Sequence, residues 1–276
     1  MEFRAVRAAG ARADSDMNVG SAIDAGTAAA ASRWVERWER QQQRYAIDRE
    51  ERFTVISDVV ERVTAGGGQA APLLLDLGCG PGSLAARLAA RMPAAEVVGV
   101  DADPLLLELG RAHHGTALRF ARARIGEPGW LDALTLDRPV DAAVSTTALH
   151  YLGEETLRRT YGELAGRIRP GGVLVNGDHL EPDSPKVHEL AVDIGRRRAE
   201  RQQALAHEDW ESWWSGVRAD PELTPLLAAR DRLTHPHCEG NKLTLTDHLV
   251  LLREAGFEHV GTVWQFGNSH VVVAVR

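Results

Sequence analysis

Residues 73–82, Leu73-Leu74-Leu75-Asp76-Leu77-Gly78-Cys79-Gly80-Pro81-Gly82, carry the strongest chemical signal in the chain. A short apolar run ends in Asp76, three glycines follow at alternate positions, and an alanine- and leucine-rich run over 83–92 reads as a helix. Strand, tight turn and helix bring backbone against a ligand, and glycines remove side chains that would hold it away. The spacing is not G-x-G-x-x-G, and no lysine or arginine sits in the loop, so no phosphate site is implied. The next apolar run, Glu96-Val97-Val98-Gly99-Val100-Asp101, closes in an acid about 20 positions beyond the loop, where one carboxylate can accept from both hydroxyls of a ribose. These residues alone point to a nucleoside-containing ligand.

The elements that position these groups alternate strand and helix. Strands are predicted at 118–123, 140–145 and 173–176, and a helix between the last two carries Leu157, Tyr161, Leu164 and Ile168. Asp103-Pro104 caps the helix after the second strand. Runs over 260–266 and 270–275 meet through Gly267-Asn268-Ser269, a joint tight enough to make them antiparallel. In an open parallel sheet ligands sit beyond the carboxyl ends of the strands. That edge receives Ser145, Thr146 and His150 after the fourth strand, and Asp178 and His179 after the fifth. An imidazole titrates near neutrality, so His150 is a candidate general base; packing within its loop is the alternative. Asp178 and His179 could bind or deprotonate a substrate, or Asp178 could cap the following turn.

L-L-D-L-G-C-G-P-G followed by V-V-G-V-D-A-D resembles class I S-adenosylmethionine (SAM)-dependent methyltransferases, over roughly residues 72–276. Ala148-Leu149-His150-Tyr151-Leu152 is similar to the A-L-H-W-L loop of small-molecule members, the bacterial trans-aconitate-methyltransferase type. The resemblance implies an α/β fold: a doubly wound, mostly parallel seven-stranded sheet with an antiparallel C-terminal hairpin and a helical cap. It implies SAM as cofactor and S-adenosylhomocysteine as product. Cofactor contacts are implied for Asp76, Gly78, Cys79, Gly80, Gly82, Asp101, Ala102, Arg124, Ile125, Ser145, Thr146 and His150, and catalytic roles for His150, Asp178 and His179. One position departs from the pattern. Many relatives carry an aspartate that accepts from the adenine amino group where Arg124 stands, and arginine only donates. Either backbone or Glu127 reads the amino group, or the pocket is altered.

Residues 1–31 show no steady apolar period and read as a flexible tail. Two helices are predicted over 32–65, on Trp34, Trp38, Gln41 and Tyr45 and on Phe53, Ile56, Val60 and Val63, and Gly66-Gly67-Gly68 follows as a linker. In the resemblance such helices often cover the cofactor, the alternative being that both merely pack on the sheet; Tyr45 is the expected pocket-facing residue. A helical insertion over about 181–238 is expected to form a lid, with a helix on Val187, Leu190 and Ile194 and another bearing Trp210, Trp213 and Trp214 on one face. Trp213, Trp214 and Tyr151 would then wall the acceptor; the alternative is that the tryptophans form the insertion's own core. The arginines at 196–198 and 201 read as a solvated face. His235-Pro236-His237 lacks a third ligand unless His179 supplies one, and no metal is expected. Thr246 is expected to cap the last helix.

Composition narrows the function. At 276 residues, 44% apolar and 26% charged, the chain suits one soluble domain with a cap. A net charge of −7 supplies no basic field, and Ser145-Thr146-Thr147-Ala148 stands where nucleic-acid amino methylation would place Asn-Pro-Pro-Tyr, so no nucleic-acid partner is expected. Cys79 and Cys238 make no disulfide framework. No apolar run reaches about 18 residues, so no membrane span is expected, and the arginine-bearing start lacks a secretory apolar core; a cytoplasmic location follows. The leading expectation is methyl transfer to a small-molecule acceptor, of the kind met in secondary metabolism, by a protein that forms a homodimer. Two alternatives stand: a non-methyl transfer or cyclisation from SAM or a modified SAM on the same fold, and a non-catalytic SAM-binding protein.

Overall fold

Strand β1 (Leu73–Leu77) is buried at every position, as a strand must be when helices cover both faces of a parallel sheet. In the computed structural model, which describes residues 25–66, 70–232 and 240–276, it lies in the interior of a seven-stranded sheet. The other strands are β2 (Glu96–Asp101), β3 (Arg119–Arg122), β4 (Val140–Thr146), β5 (Ile168–His179), β6 (His259–Phe266) and β7 (Ser269–Val275). Their order is β3-β2-β1-β4-β5-β7-β6. The first five run parallel, and β7 is antiparallel to both β5 and β6. The sheet is therefore of the expected class. The order reverses between β1 and β4, and such a switch opens a crevice at the carboxyl ends of the strands.

Alternation along β1 divides the core. Leu73, Leu75 and Leu77 face Leu157, Tyr161 and Leu164 of helix α5 (Glu154–Arg167) and Leu251 and Leu252 of α9 (Leu245–Glu254). Leu74 faces Phe53, Ile56 and Val60 of α2 (Arg49–Gly66) and Leu84 and Leu88 of α3 (Ser83–Arg91). Helix α4 (Pro104–His114) starts as the sequence predicts, with the Asp103 carboxylate accepting from the Leu105 N–H. A third cluster joins α1 (Ala25–Tyr45), α4 and the insertion: Trp34 and Trp38 meet Trp213 edge-on at centroid distances of 5.7 and 5.1 Å. Trp213 and Trp214 belong to α7 (Trp210–Ala219).

Four expectations are corrected in detail. Helix α1 begins at Ala25, inside the stretch read as tail, because Ala30 and Ala31 are buried and carry no side chain that marks a period. Helix α6 (Pro185–Arg201) forms, but with its faces reversed: Val187, Leu190 and Ile194 are exposed, while Ala191 and Ala199 are buried. Small residues let its backbone approach the hairpin; a Cβ at Gly267 would lie 2.9 Å from the Ala191 carbonyl. Thr244, not Thr246, caps α9 in a reciprocal capping box with Asp247, and Thr246 donates to Asp183 instead. Strand β5 starts at Ile168 rather than 173, its first residue pairing with Val140 across a bulge. The insertion ends in α8 (Thr224–Asp231). The expected tail over 1–24, the linker glycines Gly67 and Gly68, and the loop bearing His235, His237 and Cys238 lie outside the described residues. No helix among the described residues is long and apolar enough to cross a membrane.

Trp213 is fully buried at the meeting point of α1 and α7. Trp213→Ala is expected to cost about 3–5 kcal/mol in urea unfolding, the range for truncating a large buried aromatic. A loss below about 1 kcal/mol would show that the insertion is not anchored through this residue.

Candidate active site

The glycine loop crosses the ends of β1 and β4 with almost no clearance. Gly78 has φ +72°, and a Cβ there would lie 2.3 Å from the Ala148 Cβ. Gly80 has φ +54° beneath the Trp38 ring, 3.3 Å from the same hypothetical atom. The Gly78 and Cys79 N–H groups donate to the Val100 carbonyl at 2.8 and 3.0 Å, tying the loop to the end of β2. There the Asp101 carboxylate accepts from the Gly80 N–H at 2.8 Å and from the Asp103 N–H at 2.9 Å. Each oxygen keeps a lone pair for a further donor. Burial raises the Asp101 pKa above its ordinary value, against the pull of those N–H groups.

Asp76 stands behind the loop. One oxygen accepts from the Ala85 N–H at 3.0 Å, and the other has no partner among the described residues. Burial, reinforced by the Asp101 charge, pushes its pKa up to about 7. Such a carboxyl is poised to take a cationic donor, whose arrival would restore its charge. The Cys79 thiol donates to the Gly80 carbonyl, and burial raises its pKa well above the ordinary thiol value, which suits packing and not nucleophilic attack.

Asp76, Gly78, Cys79, Gly80, Asp101 and Ala102 line one end of a cavity of about 890 Å³. Arg124, Ile125, Thr146 and Tyr151 line more of it, so these ten sequence-selected residues share one space. That volume falls within the roughly 300–1,000 Å³ of small-molecule sites. Arg124 forms an ion pair with Glu127 at 3.0 Å, and both face the cavity.

Other selected residues lie off its wall. Gly82, at φ +92°, lets the loop pass over Phe120, whose ring is 2.8 Å from a hypothetical Cβ. The buried Ser145 hydroxyl donates to the Leu77 carbonyl, so it ties β4 to β1. Tyr45 is 48% exposed, and its hydroxyl accepts from the Trp210 N–H. Trp213 and Trp214 are committed to the aromatic cluster; Trp38 and Trp210, 5.4 Å apart, supply the cavity wall instead. A helix presents only one stripe to a cavity; Trp213 turns inward to α1, and Trp214 packs against Trp213 and the Arg230 guanidinium.

His150, Asp178 and His179 also stand off the wall, but form a cluster beside it. The His150 Nδ1 lies 2.9 and 3.1 Å from the two Asp178 oxygens. Its ring centroid is 4.1 Å from that of Tyr151, which does line the cavity. Desolvation works against the charged imidazole, but the Asp178 hydrogen bond and charge prevail and raise the His150 pKa. Burial would raise Asp178, but His150, Arg52 and the His179 N–H hold it below the ordinary carboxylate value. Burial and the nearby Arg52 charge lower the His179 pKa below the ordinary imidazole value. The pairing of β4 with β5, Thr146 opposite Gly177, brings His150 and Asp178 together. Sequence reasoning missed Arg49 and Phe53, which line the cavity from α2, and the buried Arg52 beside them. The available signal was two arginines three residues apart on the face that also buries Phe53 and Ile56. No cluster of three metal-capable side chains occurs among the described residues.

Comparison with known proteins agrees with this geometry. Residues 74–172 match the family model described as a methyltransferase domain. A trans-aconitate 2-methyltransferase of Methylobacterium radiotolerans is 37% identical over 127 residues, 45% of this chain and 44% of that protein. The chain thus matches less than half the length of that relative. A second protein of that name, from an Azoarcus species, is 28% identical over 225 residues, covering 79% of this chain and 76% of its own. The crystal structure of magnesium protoporphyrin IX methyltransferase from Synechocystis, with bound S-adenosylhomocysteine, shares the fold: TM-score 0.50 and 17% identity, over 89% of this chain and 95% of that one. Residues 74–172 are thus similar to a methyltransferase domain, and the glycine loop, the acid closing β2 and the reversed strand order agree with that likeness.

Proposed function

We propose that the chain transfers the methyl group of SAM to a small-molecule acceptor, with His150 as base. The observation that carries the reading is the Asp101 carboxylate, held by two backbone N–H groups beside a cavity also lined by Asp76, one of whose oxygens has no partner among the described residues. The walls fit the cofactor. Asp101 would take the ribose hydroxyls, Asp76 the methionine ammonium, and Ala102 and Ile125 the adenine faces. When bound, SAM supplies a methyl carbon on a sulfonium whose departure leaves a neutral thioether.

The chain's own residues align and deprotonate. The glycine loop and Ala148 fix the floor, and Trp38 and Trp210 exclude water from one side. Asp178 engages the His150 Nδ1, which leaves Nε2 to accept the acceptor's proton as its nucleophile bonds to the methyl carbon. The two relatives described above bear the name trans-aconitate 2-methyltransferase, which makes that acid one acceptor to include in assays. Arg124 beside the adenine edge favours a second reading, a modified SAM or attack at another carbon of the sulfonium. Product analysis separates the two: S-adenosylhomocysteine reports methyl transfer, methylthioadenosine attack on the aminocarboxypropyl arm.

Incubation with methyl-labelled SAM and a metabolite extract is expected to label a small molecule and release S-adenosylhomocysteine; no labelled product would remove the reading. Asp101→Ala is expected to weaken SAM binding in calorimetry by about 1–3 kcal/mol, as for a lost buried hydrogen-bond partner. Unchanged affinity would remove the ribose assignment. A base must be neutral to act, so the raised His150 pKa places the acidic limb of the turnover profile above the ordinary imidazole value. Asp178→Asn removes the charge that raises it. The limb is then expected to move to lower pH while maximal turnover falls; an unmoved limb would take His150 out of the proton transfer.

A further inference from the structure

Helix α6 shows solvent an apolar line that the fold does not use. Val187, Leu190 and Ile194 stand at i, i+3 and i+7, so they share one side of the helix, and they are 50%, 65% and 45% exposed. The helix is held down from another side, where Ala191 and Ala199 are buried and the Gly267 turn closes on the Ala191 carbonyl. Apolar side chains scattered singly over a surface need no explanation, but three in line call for one.

The same line carries charge at both ends. Asp183 lies four residues before Val187, just ahead of the helix, and Arg197 and Arg201 lie three and seven after Ile194; all three are exposed. The Asp183 carboxylate accepts from the Thr246 hydroxyl, which leaves its charge uncancelled. Arg197 shares the Asp193 carboxylate with Arg196, and Arg201 has no ion pair among the described residues. Exposed pairs within one helix are weak enough to be exchanged for others. The line therefore runs from an acid, through three aliphatic side chains, to two arginines.

We propose that this line docks on the same line of a second copy of the chain, antiparallel, about a two-fold axis beside Leu190. In such an interface each side chain meets its counterpart across the axis. Leu190 then packs on Leu190 of the second copy, and Val187 lies near its Ile194. Asp183 and Arg197 stand seven residues on either side of Leu190, so the acid of each copy faces an arginine of the other. A parallel pairing would set acid on acid and arginine on arginine, so charge selects the antiparallel one. A foreign partner would have to carry the same gradient reversed; a second copy already does. The net charge of −7 makes two copies repel at long range, but the screening length of about 8 Å at physiological salt leaves the local pairs decisive. One helix face is a small interface, which makes the dimer a reversible one. None of this depends on the reading of the cavity.

The test is sedimentation equilibrium of the full chain from micromolar to near-millimolar concentration. A reversible monomer–dimer equilibrium is expected. Leu190→Glu puts two like charges on the axis and is expected to raise the dimer Kd about tenfold or more. Asp183→Arg and Arg197→Glu are each expected to raise it about threefold or more, and the double variant to return it to within about twofold of the parent, because reversing both ends restores the pairing. All four positions are exposed, so the variants are expected to melt with the parent; if Leu190→Glu does not, Leu190→Gln takes its place. A monomer at every concentration would overturn the proposal and leave the line to a different partner. A dimer that Leu190→Glu leaves unchanged would overturn it by placing the interface elsewhere. A double variant that dimerises no better than the single ones would overturn the antiparallel pairing of Asp183 with Arg197.

Discussion

The arrangement depends on one carboxylate. Asp101 ends β2 and reaches across the sheet edge to the Gly80 N–H, while its other oxygen holds the Asp103 N–H. The first contact fixes the glycine loop, and the second sets the start of α4, whose own cap is Asp103. A buried carboxylate is expensive unless hydrogen-bonded, so the backbone around it is constrained to keep both bonds. The same group that organises the loop therefore presents its remaining lone pairs to the cavity.

Two further constraints radiate from that loop. Gly78 admits no side chain because Ala148 occupies the space, so the loop after β1 and the loop after β4 are locked as one floor. The His150-Tyr151 segment follows directly, and β4–β5 pairing carries Asp178 to meet it. On the outer side, α1 and α7 interlock through Trp34, Trp38 and Trp213, which places Trp38 and Trp210 over the cavity. The aromatic insertion thus acts on the site indirectly: its inner tryptophans hold it down, and its outer one faces the ligand space.

The sheet and the loop were legible because their signals are local. Apolar runs, alternate glycines and an acid at a strand end are read within about 25 residues of one another, and backbone geometry enforces them. What was not legible depended on which face a helix turns inward. On α6, the apolar stripe of Val187, Leu190 and Ile194 misled, because close backbone approach at Ala191 decided the packing. In α7 the three tryptophans shared one stripe, yet the partners of Trp210 and Trp213 lay in α1, some 170 residues earlier. The His150–Asp178 pair likewise needs the strand register, which spacing along the chain does not reveal. Arg52 was passed over as one charge in a helix; only its burial, and the lack of a partner among the described residues, make it stand out.

The central claim is that an adenosine moiety lies across the crevice with its sugar on Asp101. A crystal structure of the chain soaked with S-adenosylhomocysteine tests it most directly. Both ribose hydroxyls are expected within hydrogen-bond distance of the Asp101 oxygens, with the amino group on the free Asp76 oxygen. Density that leaves this crevice empty, or that puts the sugar elsewhere, would contradict it.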